Sequence, residues 1–295
     1  KCLESSHEFV DEIVVVDTGS TDDTAKIAAA YTNKVYAFDW KEDFAAARNF
    51  SLENAEGDWI IVLDADEVIE PDHWQRIRSL IAETKRDAFF LSERNYTYEA
   101  FEGGFLPVQV KTPYTKDFPG YKLHYIARLF RNIPSIRYRG HVHEVVDQSL
   151  GEDQFELSDI VIHHHGEQNE QRPKKERQLN YLRLMEKDLG SDPSGRLYAT
   201  AASIRLHYLE DYPKAIFYYD EAIRHGWQVQ ECRENQALAH YLSGNLDQAY
   251  SLYSGLLGDG YRTVNVCINF ANIAVKRREF TLAADELEQA IQLGV

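Results

Sequence analysis

The sequence predicts an α/β domain built on a mostly parallel sheet, followed by an all-α domain of helical repeats. Two apolar runs, at residues 13–16 and 59–63, end in aspartate, as buried strands do at the ligand-binding edge of a parallel sheet. A helical pattern follows the first run, which is the order of a strand–helix unit. Small residues recur every 34 positions after residue 200, the period of stacked helix pairs. We place the domain boundary between residues 170 and 171.

The first strand ends at Asp17, and this position makes its carboxylate a candidate ligand-binding group. Residues 13–16 are β-branched, which favours a strand, and residues 25–31 carry the apolar pattern of a helix. Gly19 allows the tight turn between the two elements. Because Asp17 precedes this turn, we expect it to point into the same crevice as the acids that end the strand at 59–63.

A short helix at residues 43–49 carries a second candidate group, Arg48. Asp43 is the predicted N-cap, because an aspartate there accepts a hydrogen bond from a free backbone N–H group of the first turn. Arg48 lies at least one turn inside the helix, among small residues. Its guanidinium is a fork of donors that can reach a pyrophosphate or a base.

The segment LDADE, at residues 63–67, closes the second predicted strand and is the most informative stretch of the chain. Side chains alternate along a strand, so Asp64 and Asp66 share one face. Neighbouring carboxylates repel unless a cation lies between them, and Mg²⁺ or Mn²⁺ binds through one or two carboxylates plus substrate phosphates. The alternative is a strand that ends in a solvated acidic turn, since aspartate is common in turns.

The sequence pattern of residues 87–166 predicts strands that are separated by a loop rich in aromatic residues. The rings suit sugar rings or peptide side chains on a lid, or they fill the core beneath the loop. They belong to Tyr96, Tyr98, Phe101, Phe105, Tyr114, Phe118, Tyr121 and Tyr125. A further strand, at 160–162, ends in three histidines. Alternation places His164 on one face and His163 with His165 on the other, so the three rings cannot converge on one zinc ion.

The C-terminal third repeats with a period of 34 residues, which is the tetratricopeptide signature. The matched positions are Ser203, Ala237 and Ala271; Ala215, Ala249 and Ala283; Tyr219, Tyr253 and Leu287; and Ala222, Leu256 and Ala290. Gly244 fits the turn between the two helices of the second copy, where the other copies carry Glu210 and Arg278. The repeats either bind a peptide or partner, or they only buttress the first domain or form a homo-oligomer. We predict three repeats, at residues 196–229, 230–263 and 264–295.

Four motifs in order resemble those of the family-two glycosyltransferases: VDTGSTD at 16–22, ARN at 47–49, GDW at 57–59 and LDADE at 63–67. The resemblance covers roughly the first third of the chain. It implies the A-type glycosyltransferase fold, which is Rossmann-like, and the use of nucleotide sugars. With the fused repeats, the architecture resembles the bacterial peptide S-glycosyltransferases.

The resemblance also implies roles for individual residues. Asp17 would contact the nucleobase, and Arg48 would help to bind the nucleotide. Asp64 would lie near the ribose, and Asp66 would hold the metal ion on the diphosphate. The family often has a histidine near the metal two residues before a glycine, which favours His164. Manganese accepts imidazole as a ligand, whereas magnesium prefers oxygen. The alternative to a metal ligand is a histidine that lies at the surface or in the core with no role in binding.

Glu144 is the candidate general base by the same resemblance. In this branch of the family a His-Glu pair follows an Arg-Leu-Phe-Arg stretch, which is matched here by residues 128–131. The carboxylate would remove the acceptor's proton as the nucleophile attacks, provided that it lies within reach. The alternative is an ion pair between Glu144 and Arg137 or Arg139.

Composition and chain ends give further expectations. The net charge of −16 argues against a nucleic acid or an anionic membrane surface as the main partner. No apolar run approaches the roughly 18 residues that span a bilayer. The three cysteines lack metal-type spacing, so we expect reduced thiols in a cytoplasmic protein. Family members open with a strand and a helix, so about 20 to 30 residues are expected to be missing before Lys1.

The leading hypothesis is a metal-dependent inverting glycosyltransferase. It would use Mn²⁺ or Mg²⁺ to transfer a sugar from a nucleotide diphospho-sugar, with UDP as the expected nucleotide. The acceptor would be a hydroxyl or thiol, on a peptide, a protein or a glycan. The alternative is a repeat scaffold whose degenerate nucleotide-sugar domain binds without reacting. The intact acids favour the enzyme, whereas the expected loss of the first strand favours the scaffold.

Overall fold

The computed structural model describes residues 1–98, 104–146, 150–166, 174–191 and 193–294. The chain divides into two units, Lys1–Arg172 and Pro173–Val295. Two members of the predicted aromatic loop region, Phe101 and Gly103, lie outside the described residues.

The first unit contains both helices and strands up to residue 83 and mostly strands after it. Its strands are β1 (Val15–Asp17), β2 (Val35–Ala37), β3 (Trp59–Ile61), β4 (Glu67–Ile69), β5 (Ala88–Thr97), β6 (Phe105–Pro107), β7 (Gly120–Arg131) and β8 (Phe155–His164). Its helices are α1 (Cys2–Ser6), α2 (Thr24–Ala29), α3 (Phe44–Glu53) and α4 (Pro71–Glu83).

The strands form two sheets. Strands β1 and β2 pair in parallel, and the larger sheet has the order β3-β7-β5-β8-β4 with β6 added beside β7. In the larger sheet β5 and β8 are parallel, but β3 and β5 both pair antiparallel with β7, and β4 pairs antiparallel with β8. The predicted fold class is therefore confirmed with one correction, because the sheet is mixed and not mostly parallel. An apolar run such as 59–63 indicates a strand but not the direction of its partner.

Helices cover both faces of the larger sheet. Trp74 and Ile77 of α4 pack with Phe89, Leu91 and other apolar residues on one face. On the other face, Ala45 and Leu52 of α3 pack with residues that alternate with the first set along the strands, namely Ala88 and Phe130. The two layers position the segment between β3 and β4, and this segment carries the acids of the LDADE motif.

The aromatic residues of the middle segment divide between core and surface. Tyr96 and Phe118 are buried and their rings stack at 5.4 Å, so these two fill the core as the plainer alternative predicts. Tyr98 and Tyr125 are exposed. Gly120 is needed where β6 meets β7, because a Cβ there would lie 2.3 Å from the Phe105 ring.

The second unit is entirely helical where it is described. Its helices are α5 (Lys174–Ser191), α6 (Gly195–Ile204), α7 (Tyr212–Arg224), α8 (Val229–Leu242), α9 (Leu246–Gly258), α10 (Val264–Lys276) and α11 (Phe280–Gly294). The second helix of each pair begins 34 residues after the previous one, at Tyr212, Leu246 and Phe280. The small residues predicted at helix crossings are buried at Ala215, Ala249 and Ala283. A tetratricopeptide-like region is therefore present.

The turn inside each helix pair uses the same backbone conformation. Glu210, Gly244 and Arg278 have φ angles of 55°, 85° and 63°, in the left-handed region. Only glycine adopts this region without steric cost, so the first and third turns are strained relative to the second. Among the described residues, no helix is long and apolar enough to cross a membrane.

Candidate active site

Asp64 lies in the turn between β3 and β4, where two arginines bind it. Arg48 Nη2 donates to Asp64 Oδ1 at 3.0 Å, and Arg128 Nη2 donates to Asp64 Oδ2 at 2.8 Å. Burial raises the pKa of Asp64, but the charges of Arg128 and Arg48 outweigh burial and hold this pKa at about 2. The Asp64 carboxylate is therefore ionised and already neutralised by protein cations.

Arg48 joins Asp64 to Glu144, the predicted general base. Its Nε atom donates to a carboxylate oxygen of Glu144, while its Nη2 atom holds Asp64. Sequence reasoning considered Arg137 or Arg139 as the alternative ion-pair partner of Glu144, and the structure adds Arg48 as a partner. The partner lies 96 positions away along the chain, where local spacing gives no signal.

Two contacts explain why Arg48 and Glu144 meet. Asp43 caps α3 as predicted, and its side chain accepts from the backbone N–H of Ala46 at 2.8 Å. Asn49, in the same helix, donates to the Tyr138 carbonyl at 3.0 Å and accepts from the Tyr138 N–H at 2.8 Å. This paired contact fixes α3 against the segment that carries Glu144.

Glu67, Arg128 and Glu93 form a buried charge network that sequence reasoning missed. Arg128 Nη2 lies 2.9 Å from Glu67 Oε1 and 3.9 Å from Glu93 Oε1. Glu67 is fully buried and accepts from the Asp64 N–H at 2.7 Å. Burial raises the pKa of Glu67 to about 8, which the charge of Arg128 only partly offsets. The sequence signal for Glu67 was its position directly after Asp66, which makes it a third acid beside the Asp64–Asp66 pair.

The three histidines separate as alternation predicts. The His163 Nδ1 atom lies 2.7 Å from the Tyr96 hydroxyl, and His165 Nε2 donates to the Tyr114 carbonyl at 2.7 Å. Both rings stack on Tyr96, so they belong to the core. His164 faces the other way, and its Nε2 atom lies 3.4 Å from Asp66 Oδ2.

Asp66 and His164 fit a divalent cation. Each side chain is about one-third exposed, at 33% and 29%. Gly166 keeps the space beside them open, since a Cβ there would lie 2.7 Å from His164 Nε2 and 3.0 Å from Asp66 Oδ2. In the described ranges no three His, Cys, Asp or Glu side chains converge as a metal site. Asp66 and His164 could supply one oxygen and one imidazole ligand, and phosphate and water would have to complete the coordination of a cation held there.

Asp17 ends β1, and its carboxylate accepts from the Ser20 N–H at 3.1 Å. Its place in the same crevice as Asp64 and Asp66 stays a prediction. The structure brings together Arg48, Asp64 and Glu144 in one network and Asp66 with His164 in a second pair.

Comparisons with known proteins identify relatives of both parts of the chain. The family profile described as glycosyl transferase family 2 matches residues 1–130. A TPR repeat-containing protein of Synechococcus elongatus is 30% identical over 309 residues, covering 99% of this chain and 71% of that protein. The glycosyltransferase SunS of Bacillus subtilis is 26% identical over 226 residues, covering 76% of this chain and 49% of its own length.

Solved structures with similarity to the chain include those of S. aureus TarS. A crystal structure of TarS 1–349 in complex with UDP-GlcNAc has a TM-score of 0.43 at 17% identity and covers 88% of each chain. A crystal structure of MamA has a TM-score of 0.37 at 14% identity, covering 40% of this chain and 68% of MamA.

The family profile, on a chain whose first unit is an α/β domain, defines a class, the glycosyltransferases with an A-type α/β domain. The profile match and the Synechococcus relative then decide the family: the chain belongs to glycosyl transferase family 2 and carries a tetratricopeptide-like helical region. The resemblance drawn from the four motifs is confirmed. The chain spans about half of SunS and 71% of the Synechococcus protein.

Proposed function

We propose that residues 1–170 form the catalytic domain of a metal-dependent inverting glycosyltransferase and that residues 171–295 form its repeat domain. The observation that carries this proposal is the pairing of Asp66 with His164 around a space that Gly166 keeps open. The donor is a nucleotide diphospho-sugar, with UDP as the nucleotide, and the cation is Mn²⁺ or Mg²⁺. The mixed oxygen and imidazole ligands favour Mn²⁺.

On the donor side, different residues of the chain bind the cation, the base, the ribose and the rest of the nucleotide. Asp66 and His164 hold the cation, which when bound neutralises charge on the leaving diphosphate. Asp17 contacts the base, and Asp64 lies near the ribose. Arg48 offers donors that remain unused by Asp64 and Glu144, because a guanidinium has five N–H groups in one plane. These donors bind the nucleotide.

On the acceptor side, Glu144 acts as general base. Its carboxylate takes the proton from the acceptor hydroxyl or thiol while the oxygen or sulfur bonds to the anomeric carbon. The bond from that carbon to the diphosphate oxygen breaks in the same step, so the anomeric centre inverts. Arg48 now neutralises Glu144, and a shift of Arg48 toward the diphosphate frees the carboxylate for this role.

The acceptor is a peptide or protein, with a glycan as the other candidate. Stacked helix pairs present an extended surface that suits a peptide chain, and the same surface also suits a second copy of the protein.

The three free cysteines, two of them buried, fit a protein of the reducing cytoplasm.

The test is turnover of a panel of UDP-sugars by the full-length protein with Mn²⁺. The assay follows release of UDP and the mass of the product. We expect Asp66→Ala to lower metal-dependent turnover by at least about 100-fold, since the cation supplies several kcal/mol of charge stabilisation. Asp285→Ala, which removes an exposed aspartate of α11, is the matched control.

Two outcomes would contradict the proposal. Equal turnover by the wild type and Asp66→Ala would reject the metal assignment. Binding of UDP-sugars by the wild type without product from any donor would instead favour a scaffold whose sugar-nucleotide domain does not react.

A further inference from the structure

We propose that Asn95 is a positioning residue for the divalent-cation site, because it fixes the orientation and the tautomer of His164. This inference rests on the proposed function, which makes His164 a cation ligand. Nothing in the motif pattern singles out Asn95. Its role follows from where the sheet places it and from the donors and acceptors that surround its amide.

The sheet places Asn95 beside His164. Strands β5 and β8 run parallel, and their register pairs Asn95 with His164 and Glu93 with Ile162. Paired residues on neighbouring strands project from the same face, so the two side chains lie next to each other. Asn95 Oδ1 and His164 Nδ1 are hydrogen-bonded.

The surroundings of Asn95 fix which end of its amide faces the histidine. Its Nδ2 atom donates to Glu93 Oε2 at 2.7 Å and to His124 Nδ1 at 3.1 Å. An ionised carboxylate only accepts hydrogen bonds, so the Glu93 contact requires the NH₂ end of the amide. The carbonyl end of Asn95 therefore points at His164, where it accepts.

The hydrogen bond decides what His164 offers to a cation. An amide oxygen cannot donate, so the His164 Nδ1 atom must carry the hydrogen. In the neutral ring Asn95 and Asp66 compete for a single hydrogen, and the shorter contact, to Asn95, keeps it on Nδ1. The lone pair is then on Nε2, which faces Asp66 Oδ2 at 3.4 Å, so Asp66 and His164 would hold a cation with one oxygen and one nitrogen. Such outer hydrogen bonds commonly fix the tautomer of histidine ligands.

The first test measures Mn²⁺ affinity of the full chain, by electron paramagnetic resonance of free Mn²⁺, with and without UDP. Asn95→Leu keeps the side-chain volume but removes the acceptor, so we expect its Mn²⁺ affinity to fall about 10- to 100-fold. Asn235→Leu, in α8, is the matched control and should leave affinity unchanged.

The second test reads the tautomer directly. Long-range ¹H–¹⁵N spectra of the metal-free protein, at alkaline pH where the imidazole is neutral, distinguish a hydrogen on Nδ1 from one on Nε2. We expect His164 in the wild type to carry it on Nδ1 and to lose this preference in Asn95→Leu. A role limited to general stability would change melting temperature without changing the tautomer.

The possible failures are distinguishable. Equal Mn²⁺ affinity of the wild type and Asn95→Leu, or an Nε2–H tautomer in the wild type, overturns the role of Asn95 and leaves the proposed function standing. Absence of Mn²⁺ binding by the wild type, even with UDP, overturns the proposed cation site and the role of Asn95 with it.

Discussion

Arg48 is the residue at which the two halves of the proposed reaction meet. One guanidinium donates to Asp64 on the donor side and to Glu144 on the acceptor side. Because its donors are held in one rigid plane, movement toward a diphosphate changes both contacts together. Under the proposed function, donor binding and release of the base are therefore coupled through a single side chain.

Arg128 neutralises ionised carboxylates of the site from a buried position. We expect Arg128→Met to lower the free energy of unfolding by about 3–5 kcal/mol, because the carboxylates of Asp64 and Glu93 would lose a buried cation. Urea denaturation followed by tryptophan fluorescence gives this value. Arg76→Met is the control, since its ion pair with Asp159 is exposed and contributes at most about 1 kcal/mol. Similar losses for both variants would contradict the buried network.

The substitution Gly166→Ala tests the cation site, because the added methyl group fills part of the space beside Asp66 and His164. Since its Cβ would lie 2.7 Å from His164 Nε2, we expect Gly166→Ala to weaken Mn²⁺ binding on the order of tenfold. Calorimetric titration measures the affinity, and a thermal melt checks that the fold is intact. Gly190→Ala is the control, because Gly190 lies in a helix and a Cβ atom there would have no other atom within 4 Å. This variant should bind Mn²⁺ as the wild type does. Equal affinity of the two variants would show that no cation occupies this space.

Sequence reasoning finds some residues of the site and misses others for a physical reason. Asp66 and His164 lie at the ends of apolar runs, where alternation tells which side chains share a face. Asn95 and the partners of Arg128 are visible only after the strands have paired, because β5 and β7 bring these two residues to the site. Their partners are set by sheet register, which the sequence pattern alone does not give.

At the scale of elements, the helix pairs are predictable and the sheet is less so. The 34-residue period follows from packing that repeats at each copy, so local sequence carries the information. The direction of β3 depends on β7, whose paired residues, such as Arg131 opposite Trp59, lie about 70 positions further along the chain, and nothing within the run at 59–63 reports it. This is why the sheet was predicted as mostly parallel and is mixed.

Two glycines of the second repeat give a matched prediction with opposite signs. Gly255 lies inside α9 with open space around a built Cβ, so Gly255→Ala should stabilise the protein by about 0.5–1 kcal/mol. Gly244 has a φ angle of 85°, so Gly244→Ala should destabilise it by about 1–2 kcal/mol. Thermal unfolding followed by circular dichroism at 222 nm measures both. Shifts of the same sign would contradict the left-handed turn at Gly244.

The net charge acts on the whole molecule. With a formal charge of −16, repulsion among like charges opposes the folded state, and salt screens it over a length of about 10 Å at 0.1 M. We expect 0.15 M NaCl to raise stability by about 1 kcal/mol over low salt, or about 2–4 °C in melting temperature. Salt also weakens exposed ion pairs such as Arg78–Asp11, but these contribute less. A lower melting temperature in salt, measured by differential scanning fluorimetry, would mean that those pairs dominate.

The equal spacing of the helix pairs has a consequence for how such proteins change over generations. A duplication or deletion of 102 nucleotides in the gene, which encode 34 residues, keeps every helix in phase with its neighbours. An insertion of a few codons inside a helix instead rotates all later side chains out of their contacts. Evolution can therefore lengthen or shorten this half of the chain by whole copies while the chemistry of the first half is inherited unaltered.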